Sequence, residues 1–272
     1  MTDGVESADS SDPAVRPPRP IVFRACNAFA RLAFWLWRVR VTIEGADNVP
    51  DRPGVILASN HLSILDPVLL TLAIDDLTRR RVRYMAKAEA LAWPGLGRLL
   101  RAYGGFAVRR GRPDPEAYRT AQEIVRHGDW LGLAPEGTRS RTGALIEPKP
   151  GVALFAVRTG APILPVGIWG TERLWPVGAR LPRFGQAVTI RFGELYHPRV
   201  RPVESEGAAG VALPAATVTP EPHHPEKPTE GPATEGPATE PASRRHRIDA
   251  ATEDLMYRIA ALLPPPYRGR FG

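Results

Sequence analysis

Val55-Ile56-Leu57-Ala58-Ser59-Asn60-His61-Leu62-Ser63-Ile64-Leu65-Asp66-Pro67 runs from an unbroken apolar stretch straight into a histidine, with an aspartate five residues further on. The apolar run predicts a strand buried on both faces, Val55 to Ser59. The polar run that follows sits at the carboxyl end of that strand, where open α/β sheets carry their ligands and catalytic groups. Leu131-Gly132-Leu133-Ala134 leads in the same way into Pro135-Glu136-Gly137-Thr138-Arg139-Ser140. Two strand-end polar motifs in one chain predict a composite active site.

Outward from these motifs, short strands alternate with helix-length segments. Strands are predicted at Arg40 to Ile43, Val82 to Lys87, Phe106 to Val108, Trp130 to Leu133, Ile163 to Ile168 and Val188 to Phe192. Helices are predicted at Ile64 to Ala73, Leu91 to Ala102, Pro115 to His127 and Gly151 to Thr159. Asp114 caps the third of these, and Pro115 suits its first turn because an N–H there has no helical partner. The fold class is therefore α/β, a mixed and partly parallel sheet flanked by helices.

The chain has 272 residues, 30 of them Pro and 25 Gly, so a full core coexists with long irregular segments. The net charge of +7 points to an anionic partner, and a lone Cys26 excludes an internal disulfide framework. Residues 1–20 are polar and lack the basic region of a signal peptide, which predicts a disordered tail. Residues 21–38 are apolar but carry Arg24 and Arg31, which argue against a spanning helix. At helical spacing Asn27, Arg31, Arg38 and Arg24 gather on one side and Phe23, Phe34, Trp37, Ala30 and Ile21 occupy much of the rest. That pattern predicts an interfacial, membrane-surface helix, with an ordinary packed helix as the alternative.

A single α/β domain spans residues 39–202. From 203 to 243 the chain is rich in Pro, Glu, Ala, Thr and Gly and repeats Thr229-Glu230-Gly231-Pro232-Ala233 at Thr234 to Ala238, which predicts a disordered insertion. Within the closing segment 244–272, Ile248, Leu255, Met256, Ile259, Leu262 and Leu263 follow helical spacing, so this helix should dock back on the domain. The spacing of His223, His224 and His246 supports no closed metal site. The basic residues form no nucleic-acid recognition motif.

In order, Asn60-His61 with Asp66, the run Gly104 to Arg110, Pro135 to Ser140, and Ala161-Pro162-Ile163-Leu164-Pro165-Val166 resemble the four sequence blocks of the glycerolipid acyltransferases, most closely the bacterial 1-acylglycerol-3-phosphate acyltransferases. The resemblance covers residues 43–192. It implies acyl transfer from acyl-CoA or acyl-acyl carrier protein to the free hydroxyl of 1-acyl-glycerol 3-phosphate, giving phosphatidic acid, with no metal and no resident cofactor. Other acceptors fit the same blocks, including glycerol 3-phosphate, other lysophospholipids and glycolipid or amino-lipid hydroxyls. A non-catalytic lipid-binding protein is the alternative outside enzymes.

The chemistry of the first block stands on its own. Attack of an alcohol on a thioester requires loss of the hydroxyl proton, and a neutral histidine accepts it near pH 7. His61 is the expected general base, with Asp66 holding its other ring nitrogen; the plainer alternative is that Asp66 only caps the Ile64 helix. Arg110 and Arg139 are the expected phosphate ligands, with Arg109 in reserve because the family's aromatic falls where this chain has Ala107. Glu136 would orient Arg139, bind an acceptor hydroxyl or hold its loop through backbone N–H groups. Gly137 permits close backbone approach, Thr138 offers a hydroxyl, and Lys149 is a further cation for the phosphate. Ala134 stands where the family commonly has Phe and widens the pocket. Pro162, Ile163, Leu164, Pro165 and Val166 are expected to form a strand at an edge or bend that lines the acyl-donor site. The expected location is the cytoplasmic face of the cell membrane, as a peripheral or monotopic protein.

Overall fold

The computed structural model describes residues 20–109, 114–198 and 240–272. The tail at 1–19, Arg110, and the insertion as far as residue 239 lie outside the described residues. Seven strands form one sheet in the order β1-β7-β6-β2-β5-β3-β4. They are β1 (Arg40–Glu44), β2 (Ile56–Ser59), β3 (Val82–Lys87), β4 (Phe106–Val108), β5 (Trp130–Leu133), β6 (Ile163–Trp169) and β7 (Ala187–Phe192). β6, β2, β5, β3 and β4 are mutually parallel, whereas β7 runs antiparallel to β6 and carries β1 parallel to itself at the edge.

β2 is buried at every residue because both faces are covered. Ile56 and Ala58 face a core shared with Phe155, Leu255 and Ile259, while Val55 and Leu57 face one shared with Leu70, Ile74 and Phe192. Covering helices are α1 (Pro20–Leu36), α2 (Asp66–Thr78), α3 (Ala88–Ala92), α4 (Leu96–Ala102), α5 (Pro115–Arg126), α6 (Gly151–Thr159), α7 (Thr171–Leu174) and α8 (Glu240–Leu262). Leu255, Met256 and Ile259 of α8 are fully buried, and the helix packs on β6 and α6.

Three expectations change. The helix predicted from Leu91 to Ala102 is two helices, broken where Pro94 removes a donor and Gly95 takes φ 79°. α2 starts at Asp66 and continues to Thr78, because its polar end, Asp75 and Asp76, is matched by groups on α1. β6 is an interior strand, not an edge or bend. Pro165 is tolerated there because its nitrogen faces the region just past β7, where the register slips by one residue between the Ile163–Tyr196 bridge and the Val166–Phe192 pair. A bulge at that point needs no donor from residue 165.

Part of the polar stripe of α1 packs on the domain: Asn27 Nδ2 donates to Asp75 Oδ2 at 2.9 Å, and Arg31 reaches both Asp75 and Asp76, whereas Arg24 and Arg38 are exposed. Phe23 is buried with them, stacked on Tyr103. Ile21, Phe29, Leu32, Trp35 and Leu36 face outward, Trp35 with 73% of its surface exposed. Periodicity defines two faces of a helix but not which one docks; the acidic pair on α2 decides that here. Among the described residues no helix is long and apolar enough to cross a membrane.

Candidate active site

Ala58 of β2 pairs with Leu133 of β5 in parallel, so the two loops that leave these strands rise side by side. The chain then crosses from β5 to β6 on the far side of β2, which opens a crevice at these carboxyl ends. Asn60 closes its floor: its amide donates to Ile168 O and accepts from Ile168 N, both at 2.8 Å. This extends the β2–β6 ladder beyond the last strand residue and aims the next residue, His61, out of the sheet.

His61 Nδ1 donates to Asp66 Oδ2 at 2.8 Å. The same oxygen accepts from Leu62 N at 2.7 Å and Ser63 N at 2.8 Å. Three donors on one oxygen, plus a place in the first turn of α2, solvate a carboxylate that is 1% exposed. Asp66 does not cap α2: the N–H groups it accepts belong to the turn before the helix, so its contacts hold the histidine and that turn. Ser63 donates its Oγ to Trp175 O and does not cap α2. With Nδ1 protonated, the Nε2 lone pair is left available on a side chain that is 20% exposed.

The second motif clamps the first. His61 N donates to Glu136 Oε1 at 3.1 Å, and Ser140 N donates to His61 O at 2.8 Å. Glu136 is 1% exposed, has no hydrogen bond to Arg139, and its Oε2 is buried without a hydrogen-bond partner among the described residues. Burial pushes its pKa up to about 7, opposed by the His61 amide and the nearby Ile146 amide and reinforced by the charge of Asp66. Of the three roles expected for Glu136, holding the loop is the one its contacts match. Gly137 takes φ 66°, and a Cβ there would meet the Lys149 side chain at 3.1 Å. Glycine therefore serves both the turn and the lysine stem that crosses it. The Lys149 backbone N donates to Pro135 O, which fixes the base of that side chain.

Arg139 is half-buried and makes no hydrogen bond or ion pair among the described residues, one residue from the Ser140–His61 bond. Thr138 is exposed beside it. Arg109 is different: it bonds Asp114 through its backbone and side chain and pairs with Glu116, tying β4 to α5. Its guanidinium is thus shared between two carboxylates. Ala134 is partly exposed at the start of the motif. Ile163 and Leu164 point into opposite cores, level with Ile56 and Leu57, and Pro162, Pro165 and Val166 are buried with them. That segment supports the sheet beneath the site and does not open onto it. The sequence did not flag the Asn60 and Ser140 contacts; their only signal was adjacency to the motifs.

Fold and site define an α/β protein with a histidine–aspartate pair at the carboxyl end of a central parallel strand. Residues 40–169 match the family model described as Acyltransferase. A 1-acyl-sn-glycerol-3-phosphate acyltransferase of Borreliella burgdorferi is 30% identical over 159 residues, 57% of this chain and 60% of that protein, so the match spans under two thirds of the relative. One from Pseudomonas aeruginosa is 28% identical over 191 residues, 68% of this chain and 69% of its own. The crystal structure of the 1-acyl-sn-glycerophosphate acyltransferase PlsC from Thermotoga maritima aligns with a TM-score of 0.56 at 32% identity, covering 68% of this chain and 72% of that one. The chain belongs to the acyltransferase family.

Proposed function

We propose that this protein transfers an acyl group to the free hydroxyl of 1-acyl-glycerol 3-phosphate, giving phosphatidic acid. The observation that carries the reading is the buried Asp66 carboxylate holding Nδ1 of a partly exposed His61, in a chain whose relatives bear the name of that reaction. The donor is a thioester of coenzyme A or acyl carrier protein. His61 Nε2 takes the hydroxyl proton as oxygen attacks the thioester carbonyl. Asp66 keeps the imidazole in the right tautomer and stabilises the imidazolium. The tetrahedral intermediate collapses, the C–S bond breaks, and thiolate leaves. Arg139 and Lys149, with Arg110, hold the phosphate: a guanidinium free of internal partners offers a planar fork to a phosphomonoester. Glu136 and Ser140 act through the His61 backbone as positioning residues.

The lipid acceptor reaches the site from a membrane surface. The outward face of α1 supports this, since Ile21, Phe29, Leu32, Trp35 and Leu36 expose apolar area that water solvates poorly. The protein accordingly sits on the cytoplasmic membrane face as a peripheral or monotopic protein. The test is thiol release from acyl-CoA or acyl-acyl carrier protein with 1-acyl-glycerol 3-phosphate and product mass determination. Wild type should form phosphatidic acid and a folded His61→Ala variant should lose about 10²-fold or more in turnover. Unchanged turnover in that variant overturns the base assignment, and absence of the product mass overturns the acceptor.

A further inference from the structure

Leu174-Trp175-Pro176-Val177-Gly178-Ala179-Arg180-Leu181-Pro182-Arg183-Phe184-Gly185-Gln186 connects α7 to β7 and contains no acidic residue. Leu181 is 74% exposed, Phe184 61% and Val177 39%. Arg180 and Arg183 are exposed beside them and form no ion pair among the described residues. The loop is nevertheless held by its stems. Trp175 Nε1 donates to Ala179 O, Ala179 N to Pro176 O, and Arg183 N to Leu174 O. Large apolar side chains on a braced loop have not simply failed to find a core, and the arginines between them complement an anionic surface.

The two ends of the loop tie it to the rest of the molecule. At its root Trp175 O accepts the Ser63 hydroxyl, from the His61–Asp66 turn. On its return Gly185 N donates to Trp37 O and Arg40 N to Gln186 O, immediately after α1. These bonds place the return of the loop, next to Phe184, beside the residues that follow Trp35 and Leu36, and its root beside the turn carrying the histidine. Ile64, next to Ser63, is a further exposed apolar side chain at that turn.

We propose that the Trp175–Gln186 loop is a second lipid-contacting element, which engages an anionic phospholipid bilayer with Leu181 and Phe184 among the acyl chains and Arg180 and Arg183 on the phosphates. It builds on the membrane-surface reading of α1. A bilayer held at both places brings the mouth of the site to the headgroup level, so a lysophospholipid has a short path to His61.

The full chain is tested for co-sedimentation with vesicles of pure phosphatidylcholine and of phosphatidylcholine with phosphatidylglycerol, alongside turnover of a short-chain, water-soluble 1-acyl-glycerol 3-phosphate. Leu181→Ser/Phe184→Ser should lower vesicle affinity by about tenfold or more while soluble turnover is unchanged. Arg180→Gln/Arg183→Gln should lose about 30-fold on anionic vesicles at low salt, with little change on phosphatidylcholine. Wild-type vesicle binding by both variants overturns the loop proposal, as does an oligomer that the Leu181/Phe184 variant dissociates without losing vesicle binding. The α1 reading fails separately, if Leu32→Ser/Trp35→Ser binds vesicles normally, and the acyl-transfer reading fails separately, if wild type does not turn over the soluble acceptor.

Discussion

The loops above β2 and β5 and the outer face of α1 solve opposite solvation problems. At the site, carboxyl groups are buried: Asp66 and Glu136 are each 1% exposed, and backbone N–H groups donate to one oxygen of each. On α1 the polar Asn27 and Arg31 turn inward while Trp35, Phe29 and Ile21 face out. The first arrangement stores electrostatic work in a fixed geometry, since a buried carboxylate stays only where its donors are prealigned. The second stores apolar area that has not yet been removed from water. Perturbing a site residue should therefore cost catalysis or change stability, whereas perturbing the α1 face should leave stability and turnover of a soluble acceptor unchanged and alter only what the surface meets.

The largest effect is expected at the buried carboxylate. In the proposed mechanism Asp66→Asn removes the charge that stabilises the imidazolium, and turnover should fall by about 10²–10⁴-fold with little change in KM. A drop confined to KM would mean that Asp66 shapes substrate binding instead.

Glu136 sharpens the contrast through pH. Its pKa is raised from 4.5 to about 7 in the folded protein, so between those values the folded state binds more protons than the unfolded state. Its contribution to stability is complete below about pH 4.5 and is lost as pH rises through 7. Glu136→Gln keeps an acceptor for the His61 amide and removes the titration. The variant should gain on wild type with rising pH, reaching an advantage on the order of 2–3 kcal/mol by pH 8 in denaturant melts. Parallel stability curves for the two proteins would contradict the burial of an ionisable Glu136.

In the proposed phosphate-binding role, Arg139→Ala removes a charge-assisted contact worth about 1.5–3 kcal/mol, which should raise KM for 1-acyl-glycerol 3-phosphate by about 10–100-fold. Turnover of a monoacylglycerol, which has no phosphate, should respond far less. Equal losses on both acceptors would assign Arg139 to loop structure.

Smallest of all is Leu32→Asn on the outer face of α1, where the side chain is 52% exposed. Urea unfolding should shift by no more than about 0.5 kcal/mol. A loss above 1 kcal/mol would show that this face packs on something and is not a free surface.

The strands were legible because the central ones are short apolar runs between breakers and the outer ones, such as β7, alternate apolar and polar residues. Three of them, Val82–Lys87, Phe106–Val108 and Trp130–Leu133, match the expected limits at both ends. The histidine–aspartate pair was legible because the spacing is local: a turn and the start of one helix bring both groups together. The partners of Arg109 were not legible, because a pairing with Asp114 and Glu116 depends on how the chain folds back from β4 into α5. Which face of α1 docks was not legible for a similar reason. Its stripe is visible at helical spacing, but its partner, Asp75, lies 48 residues from Asn27.

The sequence by itself determined the elements, the strand-end position of both motifs and the local His61–Asp66 pair, since each depends on neighbours within a few residues along the chain. Only the tertiary structure decided that β2 and β5 are adjacent, that Glu136 and Ser140 therefore grip the His61 backbone from both sides, and that β6 lies inside the sheet with its two prolines. These outcomes depend on strand order and on which faces meet, and hydrogen bonds between residues 75 apart, such as His61 and Glu136, leave no periodic trace in the chain that makes them.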